Sequence, residues 1–468
     1  MGGEVRRRIS LRDILRIDIP KIHTAVSEGG DADPAARVIL RILNEPKSRY
    51  KTRMMYCPPL PLLWGFRPGD GTAASVIHQA YARELWHERG FAGRLALLVQ
   101  FFGWPVIVFA TLVWFTALNG RAIARRSGKS IARQLHEQLQ LAARHAILPP
   151  WYYMFELFDD TRFSRAGQYL RRDETKGGIY KLLRLPSKPG RLNNKAKFAD
   201  CCRRHGIRTP DHLQARSGHV RRPGEQQAAS LPHADLFAKP SRGRGGCGVE
   251  SWRYDGSHWS RDGAPPIDEA ALLEHFRELS KVDRYLIQRR LVPHPELTDL
   301  SADVLTTVRM LTIRNEDGEF EVTHAVYRMP NRPGAKVDNF HAGGLAAKID
   351  IETGELGAAS DIGLLPNSDW HSIHPVSGAQ IAGRKLPFWN ETLDLARRAH
   401  ATVPAHAVIG WDIAIVDDGP VMIEGNSGAD LDIIQRSHRE PMGDSRFGDL
   451  LAHHLENLER GTPPTNSG

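Results

Sequence analysis

The clearest chemical signal in the sequence is a set of oxygen-bearing side chains within two apolar runs near the C-terminus. Residues 408–430 read VIGWDIAIVDDGPVMIEGNSGAD, and the turn at 417–420 predicts that the two runs pair as an antiparallel hairpin. In such a pair Asp412 lies nearly opposite Glu424, and Asn426 points to the same face as Glu424 because side chains alternate along a strand. Mg²⁺ prefers such hard oxygen ligands, with phosphate oxygens and water completing its shell. The three residues therefore predict a magnesium site.

A glycine-rich stretch in the middle of the chain has a layout that can bind phosphate. Residues 239–254 read KPSRGRGGCGVESWRY and contain Gly243, Gly245 and Gly248 in a G-x-G-x-x-G spacing. A dinucleotide fingerprint needs a helix after the glycines, but VESWRY alternates like a strand. A protein-kinase loop needs H-R-D and D-F-G motifs downstream, and the sequence has neither. A lysine before a flexible hairpin loop can hold a phosphate, so Lys239 is predicted to do so, the alternative being a flexible basic loop.

Three further segments and one arginine complete the set of candidates. Residues 192–210, LNNKAKFADCCRRHGIRTP, predict a lysine-led helix in which Lys195 either reaches a second phosphate or is a surface lysine. Residues 285–291, YLIQRRL, predict a strand that emerges into a polar hinge, whose backbone could read an adenine edge. Arg309 stands among apolar neighbours in TTVRMLTI, and a buried arginine needs an anion, either a structural carboxylate or a transferring phosphate. Residues 338–345, DNFHAGGL, add another glycine loop beside polar groups.

The elements that must position these residues lie after Pro186, where short strands bounded by turns alternate with helical runs. This texture predicts an α+β or α/β enzyme domain over residues 186–458. It is preceded by a basic N-terminal region at residues 1–94 and a helical linker region at residues 119–185. Residues 459–468 are predicted to be a disordered polar tail.

Residues 95–118 are a candidate membrane segment. They read LALLVQFFGWPVIVFATLVWFTAL and carry no charge. The run is long enough to cross a bilayer core. Arginines flank both ends, so both ends favour the cytoplasmic side, and Pro105 lies in the middle, where proline disrupts a helix. A re-entrant hairpin satisfies both flanks and is preferred to a single span. The alternative without a membrane is a buried pair of core helices.

Composition limits the class of partner without choosing one. The chain has 468 residues, 41% hydrophobic and 25% charged, with a net charge of +9, which favours anionic partners such as nucleotides or the cytoplasmic leaflet of a membrane. The four cysteines form no C-x-x-C motif and are predicted to be reduced thiols in a cytosolic compartment. A nucleic-acid partner is not expected, because the arginines lack aromatic interleaving and no known binding module appears.

Taken together, these motifs resemble the ATP-grasp superfamily over about Pro186 to Leu458. More narrowly, YLIQRRLVPHPEL, TTVRMLTI, VDNFHAGGLAAKIDIETGEL and VMIEGNSGADLDIIQ are similar to the sugar-transfer-associated ATP-grasp family, which is in turn similar to glutamate-ligase type enzymes. The resemblance implies an α+β ATP-grasp fold, in which two α+β subdomains clasp ATP. A mainly helical N-terminal region with the hydrophobic membrane segment would precede it.

The resemblance also implies roles and cofactors, namely ATP and Mg²⁺. It implies that Lys195 and Lys239 contact the α- and β-phosphates, that residues 241–248 close as a lid, and that Arg309 meets the γ-phosphate. Lys239 and Arg309 are then the catalytic candidates, and Asp412, Glu424 and Asn426 the metal ligands. The full set of implied ATP contacts is Lys195, Lys239, Ser241, Gly243, Gly245, Gly246, Gly248, Gln288, Arg289, Leu291 and Glu296. The implied substrate loop contains Asn339, His341, Gly343 and Gly344.

One departure concerns the ribose. The acidic residue that usually follows the hinge is replaced by arginine at Arg289 and Arg290, which leaves Glu296 and Asp303 as alternative ribose-binding acids.

The function implied by this resemblance is an ATP-dependent carboxylate–amine ligase that works through an acyl phosphate. Its expected place is the cytoplasmic face of the cell membrane, and its expected substrates are small-molecule or glycan-linked carboxylates and amines. The link to cell-surface polysaccharide synthesis rests on the family resemblance alone. Two alternatives are a phosphotransferase acting on a hydroxyl and a membrane-bound scaffold with an inactive nucleotide pocket.

Overall fold

A computed structural model gives the fold of the chain. It describes residues 69–87, 90–184, 192, 194–225, 230–241, 248–261, 263–335 and 338–461. Most of the predicted basic N-terminal region and most of the predicted disordered tail therefore lie outside the described residues.

The described part begins with a run of helices. They are α1 (Ala73–His87), α2 (Phe91–Ser127), α3 (Ile131–His145), α4 (Pro149–Met154), α5 (Asp160–Ser164), a 3₁₀ turn (Ala166–Gln168), α6 (Arg172–Glu174), a π-helical turn (Thr175–Ile179) and α7 (Tyr180–Leu182). Amphipathic spacing accounts for α3, whose first turn is capped by the Ser130 side chain accepting from the Arg133 backbone N–H at 3.2 Å.

Helix α2 contradicts the predicted re-entrant hairpin. It is one continuous helix of 37 residues, and Pro105 lies inside it without turning the chain back. Proline removes one backbone donor from a helix, and a long helix with many remaining hydrogen bonds can carry that loss. Among the described residues it is the one helix long and apolar enough to cross a membrane.

A six-stranded antiparallel sheet, called the first sheet here, follows α8 (Lys195–Arg204). Its strands are β1 (His212–Arg216), β2 (His219–Arg221), β3 (Leu236–Pro240), β4 (Glu250–Tyr254), β5 (Trp259–Ser260) and β6 (Tyr285–Arg289), in the order β2-β1-β6-β3-β4-β5. Helix α9 (Glu269–Val282) packs Leu272 and Phe276 into the same apolar cluster as Ala238 and Ile287. The central place of β3, between β6 and β4, is what buries its Lys239.

The second sheet has seven antiparallel strands. They are β7 (Thr307–Arg314), β8 (Phe320–Met329), β9 (Leu345–Ile349), β10 (Leu356–Ser360), β11 (Trp370–His371), β12 (Val408–Val416) and β13 (Gly419–Asn426), in the order β11-β10-β9-β8-β7-β12-β13. Two 3₁₀ turns (Pro295–Leu300 and Phe340–Ala342) and three helices, α10 (Trp389–Ala401), α11 (Asp432–His438) and α12 (Arg446–Glu459), complete the described elements.

Helices cover both faces of the second sheet. On one face Leu395 and Ala396 of α10 join an apolar cluster with Met310 and Ile413. On the other face α11 and α12 pack against Leu311 and Val326, and α1 joins that cluster through Ile77. The residues that α11 and α12 contribute are Ile433, Ile434, Leu450, Leu451 and Leu455. Burial on both faces explains why β12 is buried along its whole length.

The N-terminal helices are tied to this second face by polar contacts as well. The buried Arg436 of α11 donates to the Met154 carbonyl at 2.8 Å and lies 3.2 Å from the Glu156 carboxylate. Glu156 also accepts from the Trp370 indole N–H at 2.8 Å. The helical region and the second sheet are therefore parts of one packed body.

Candidate active site

The hairpin of β12 and β13 brings Asp412 and Glu424 together. The two residues pair directly across the strands, as the sequence predicts, and a register shift follows at once because Ile413 pairs with Met422. This bulge leaves Ile423 unpaired and sharpens the local twist, a feature that often accompanies active sites. Asp412 is buried, whereas the Glu424 side chain is 32% exposed. The pair thus has one carboxylate inside the sheet and one that solvent can reach.

Gly425 allows this hairpin to pack tightly. A side chain added there would come within 2.6 Å of the Trp411 ring and 2.8 Å of Leu192. The position therefore requires glycine, and it lies between Glu424 and Asn426.

Two arginines hold the buried Asp412 carboxylate. Arg309 of β7 pairs across the sheet with Asp412 and donates to it through both Nε and Nη2, the latter to Oδ2 at 3.0 Å. Arg328 of β8 donates from Nη2 to the same Oδ2 at 3.1 Å. Burial alone would raise the pKa of Asp412, but Arg309 and Arg328 outweigh it and lower the pKa, so the group stays ionised. The anion that the buried Arg309 requires is thus a carboxylate of the protein.

Arg328 and Asp338 extend this arrangement and were not identified from the sequence. Arg328 Nε lies 3.4 Å from Asp338 Oδ2 and donates to Thr307 Oγ1 at 3.0 Å, and the Thr307 hydroxyl donates to Asp338 Oδ2 at 2.5 Å. Burial raises the pKa of Asp338, with Arg328 and Thr307 acting in the opposite direction. A usable signal was present, since Arg328 lies at the end of an apolar strand, as Arg309 lies within one. We call Arg309, Arg328, Asp338 and Asp412 the charge network.

Lys195 of α8 and Lys239 of β3 lie close to Glu424 of the β12–β13 hairpin. Lys195 opens α8, where its Nζ lies 4.0 Å from Glu424 Oε2, and its backbone N–H donates to the Ser241 carbonyl at 3.1 Å. Lys239 is buried at the end of β3. Burial, together with the charge on Lys195, lowers the pKa of Lys239 to about 8, although Glu424 and Asp412 act to raise it. The two lysines and two carboxylates therefore share one electrostatic environment.

A small cleft lies between the two sheets and includes both lysines in its wall. Phe198, Leu286 and Met422 supply apolar surface, and the buried Gln288 supplies a side-chain amide. Apolar walls with a few polar groups suit a flat aromatic ring next to charged phosphates.

The structure does not bring the remaining hinge residues into the wall of this cleft. Arg289, Leu291 and Glu296 are absent from its lining, and so is Asp303. Arg290, the second arginine after the hinge, donates to the Asp303 backbone carbonyl and lies 3.5 Å from Asp235. The alternatives for the ribose-binding acid therefore stay a prediction.

The glycine loop is only partly described. Ser241 is buried and its N–H donates to the Arg284 carbonyl at 2.6 Å, and Gly248 has a φ of 74°. Gly243, Gly245 and Gly246 lie outside the described residues. The predicted lid therefore stays a prediction.

The predicted substrate loop follows Asp338 directly. The Asn339 side chain accepts from the His341 N–H at 3.0 Å, which begins the 3₁₀ turn, and Gly343 ends it with a φ of 95°. A side chain on Gly344 would lie 2.9 Å from the Asp338 and Met329 carbonyls. The tight backbone holds this loop beside the charge network.

The residues present fit a hard divalent cation by donor type. Asp412 and Glu424 offer carboxylates and Asn426 an amide, whose Nδ2 donates to Glu424 Oε1 at 3.3 Å, so its oxygen is turned to the other side. In the described parts of the chain, no group of three or more His, Cys, Asp or Glu could hold a metal ion. Two carboxylates and an amide suit Mg²⁺ that takes its remaining ligands from phosphate and water. A cation there would compete with Arg309 and Arg328 for Asp412.

Comparison with known proteins gives one family match. The model of the sugar-transfer associated ATP-grasp family matches residues 181–442, which is more than half of the chain. No curated protein matches the sequence.

Solved structures with some similarity include three ligases or synthases. The N5-carboxyaminoimidazole synthase from Aspergillus clavatus, in complex with ADP and 5-aminoimidazole ribonucleotide, is 12% identical over 50% of this chain and 44% of that one, with a TM-score of 0.27. The L-amino acid ligase from Bacillus licheniformis is 14% identical over 60% and 52%, with a TM-score of 0.32. The D-alanine–D-alanine ligase from Bacillus anthracis is 12% identical over 58% and 70%, with a TM-score of 0.33. The chain thus spans about half the length of the first two.

The lowered pKa of Lys239 predicts proton uptake when a nucleotide binds. Above about pH 8 the free amine is largely neutral, and a bound phosphate favours its charged form, so binding should take up a proton. Calorimetric titration with ADP, in two buffers of different ionisation enthalpy, should show this uptake at about pH 8.5 and much less at about pH 7.

Two variants control this measurement. Lys239→Arg should bind without uptake, because its guanidinium stays charged at both pH values. Lys197→Arg, on the exposed face of α8, should behave like the unaltered protein. Equal proton uptake at both pH values in the unaltered protein would contradict the assignment of Lys239.

Proposed function

The chain belongs to the sugar-transfer associated ATP-grasp family, and on that premise we propose that it is an ATP- and Mg²⁺-dependent ligase that joins a carboxylate to an amine. The observation that carries the proposal is the meeting of two opposite charge sets at one cleft. Lys195 and Lys239 line the cleft, and the Asp412–Glu424 pair lies next to it, with Lys195 Nζ 4.0 Å from Glu424 Oε2. A polyphosphate with a divalent cation is the kind of ligand that satisfies both sets.

In this proposal each residue has a role that follows from its charge and place. Lys195 and Lys239 neutralise the α- and β-phosphates, and residues 241–248 close over them through backbone N–H groups. The buried Gln288 lines the cleft together with Leu286, and in this proposal the adenine ring would lie beside them. When bound, Mg²⁺ would be held by Asp412, Glu424 and Asn426 and would neutralise charge on the phosphates.

The charge network provides the catalytic groups. Arg309 and Arg328 share the Asp412 carboxylate in the structure. With a cation held at Asp412, the two guanidiniums would be able to bind the terminal phosphate and to stabilise the negative charge that develops during its transfer. We propose Arg309 as the residue with this role and Arg328 as its partner.

The chemistry then needs little covalent work from the protein. The substrate carboxylate attacks the terminal phosphate of ATP, which gives an acyl phosphate and ADP. An amine attacks the acyl carbon, a C–N bond forms, and phosphate leaves. Positioning and charge neutralisation supply the rate enhancement.

We further propose that α2 attaches the enzyme to the cytoplasmic face of the cell membrane. Its first two-thirds expose large apolar side chains that recur every three or four residues, and its last third buries Phe115, Asn119 and Ile123 against the rest of the protein. The most exposed of these side chains, between 66% and 86%, are Phe91, Val99, Phe102, Val106 and Phe109. Such a one-sided stripe fits contact with acyl chains. A membrane surface is also where a glycan-linked or lipid-linked precursor would be met, which supports a role in cell-surface polysaccharide synthesis.

The ligase proposal predicts amine-dependent release of ADP. The protein is incubated with Mg·ATP and a panel that combines amino acids, amino sugars and carboxy sugars, and ADP is measured for each pair. Glu424→Gln should lower turnover by roughly 100-fold or more, because a charged ligand of the cation is lost. The exposed Glu352→Gln is the matched control and should retain full turnover.

The products decide between the proposal and its alternatives. A stable phosphate ester formed without an amine would show a phosphotransferase acting on a hydroxyl. An absence of ADP or Mg·ATP binding under any condition would support an inactive scaffold and overturn the ligase.

The membrane proposal predicts that polar substitutions on the exposed stripe abolish vesicle binding. The triple variant Phe102→Ser, Val106→Ser and Phe109→Ser should bind vesicles of phosphatidylcholine and phosphatidylglycerol at least about tenfold more weakly, because large exposed apolar side chains no longer enter the bilayer. Flotation of the full chain measures this, and ADP binding shows that the fold is retained.

The control variant places the same polar side chain at exposed apolar positions away from α2. Ile131→Ser, Leu139→Ser and Val282→Ser should leave flotation unchanged. Equal flotation of the α2 variant and this control would refute the stripe as the contact surface.

A further inference from the structure

A histidine and a buried aspartate pair at the edge of the substrate loop. His341 Nε2 lies 2.8 Å from Asp432 Oδ2, and the Asp432 carboxylate is completely buried while the histidine side chain is 27% exposed. Asp432 begins α11, where its other oxygen accepts from the Ile433 N–H at 3.0 Å. The carboxylate is therefore fixed in place, and it fixes the imidazole.

The pairing determines which ring nitrogen can take a proton. An ionised carboxylate only accepts hydrogen bonds, so in the neutral form of the His341 ring Nε2 carries the hydrogen and Nδ1 carries the lone pair. Among the residues that the structure describes, none hydrogen-bonds to Nδ1. A neutral imidazole with a buried carboxylate behind it and an open nitrogen in front is the arrangement of a general base.

The pair lies beside the charge network. His341 is three residues from Asp338, which contacts Arg328. The segment before Asp432 also lies near the charge network. A side chain added at Gly410 would lie 3.0 Å from Ala429 and 3.7 Å from Arg309, so Ala429 and Arg309 flank the same position.

The charged groups around the pair come from two further segments. Arg172 and Lys176, from α6 and the π-helical turn, bind Asp430 at 2.7 and 2.8 Å. Burial would raise the pKa of Asp432, but His341 and Arg172 outweigh it and lower the pKa. Asp173 adds negative charge from the same side, and burial raises its own pKa to about 6. The pair therefore lies among groups of both signs of charge. Such surroundings suit a substrate that carries an ammonium group together with other polar groups.

We propose that His341, held by Asp432, is the general base that takes a proton from the attacking amine. This proposal rests on the ligase function proposed above. His341 is the catalytic residue and Asp432 a positioning residue.

The proton balance of the step is complete without another reactant. The ammonium group first gives one proton to Nδ1 of His341, which frees the nitrogen lone pair to bond to the acyl carbon. The nitrogen gives its second proton to the leaving phosphate as the amide forms. The bond between that carbon and the phosphate oxygen breaks, and the leaving phosphate takes its electron pair. The imidazolium then gives the proton to the phosphate or to water, which restores the neutral base.

Hydroxylamine makes the test specific. It is largely unprotonated at neutral pH, so it attacks an acyl phosphate without help from a base and gives a hydroxamate. His341→Gln should lower ADP release with the most active amine of the panel by roughly 100-fold. Hydroxamate formation by the same variant should fall by less than about tenfold. The readout is therefore the ratio between ADP release with the amine and hydroxamate formation. Asp432→Asn should shift the ratio in the same direction by a smaller factor, because the hydrogen bond remains and the charge is lost.

The exposed His219→Gln, on the edge strand of the first sheet, is the matched control and should leave the ratio unchanged. If His341→Gln lowers the rates of both reactions equally, or lowers neither rate, His341 has only a structural role and the general-base role is wrong. If the unaltered protein forms neither hydroxamate nor ADP, the ligase function itself fails, which is a separate result.

Discussion

The structure depends on one buried carboxylate that must always have a positive partner. Asp412 lies in the second sheet, in a strand buried along its whole length, and a lone ion there would be costly. Arg309 meets this requirement from the neighbouring strand β7, and Arg328 from β8, the strand beyond it. Their own charges in turn need Asp412 and Asp338, so the network is balanced only as a whole. In the proposed function a divalent cation would replace the arginines at Asp412, and this exchange would link metal binding to the freeing of two cationic groups.

Burial and charge also explain which groups each sheet contributes to the site. The first sheet contributes Lys239 from a central strand, where burial lowers the pKa of its amine. The second sheet contributes the carboxylates. The charge on Lys195 helps to lower the pKa of Lys239, whereas Asp412 is already paired with Arg309 and Arg328. In the proposed function, a ligand with phosphates and a metal ion would interact with the lysines and with the carboxylates at once.

Local patterns predicted the parts of this site that local geometry determines. The β12–β13 register follows from a short turn between two apolar runs, so the pairing of Asp412 with Glu424 is confirmed. The α+β ATP-grasp fold is also confirmed by the family match. The partner of Arg309 required knowing that β7 lies beside β12, a contact across about a hundred residues that no sequence periodicity encodes.

Other features escaped prediction for similar physical reasons. Arg328 carried the same signal as Arg309 but was not recognised, since only the assembled sheet shows that both reach one carboxylate. The hairpin expected around Pro105 is wrong because one lost hydrogen bond does not break a helix of 37 residues. The pairing of His341 with Asp432 joins a loop to a distant helix start, so its geometry becomes visible only in the structure.

The central claim is that Asp412 exchanges its arginines for a metal ion when a nucleotide binds. The most direct measurement is the affinity for ADP with Mg²⁺ and with EDTA, by calorimetry, for the unaltered protein and for Asp412→Asn, with the exposed Asp417→Asn as control. The account predicts that Mg²⁺ strengthens ADP binding in the unaltered protein and in the control, and that Asp412→Asn loses this dependence. An ADP affinity that is the same with Mg²⁺ and with EDTA in the unaltered protein would contradict it.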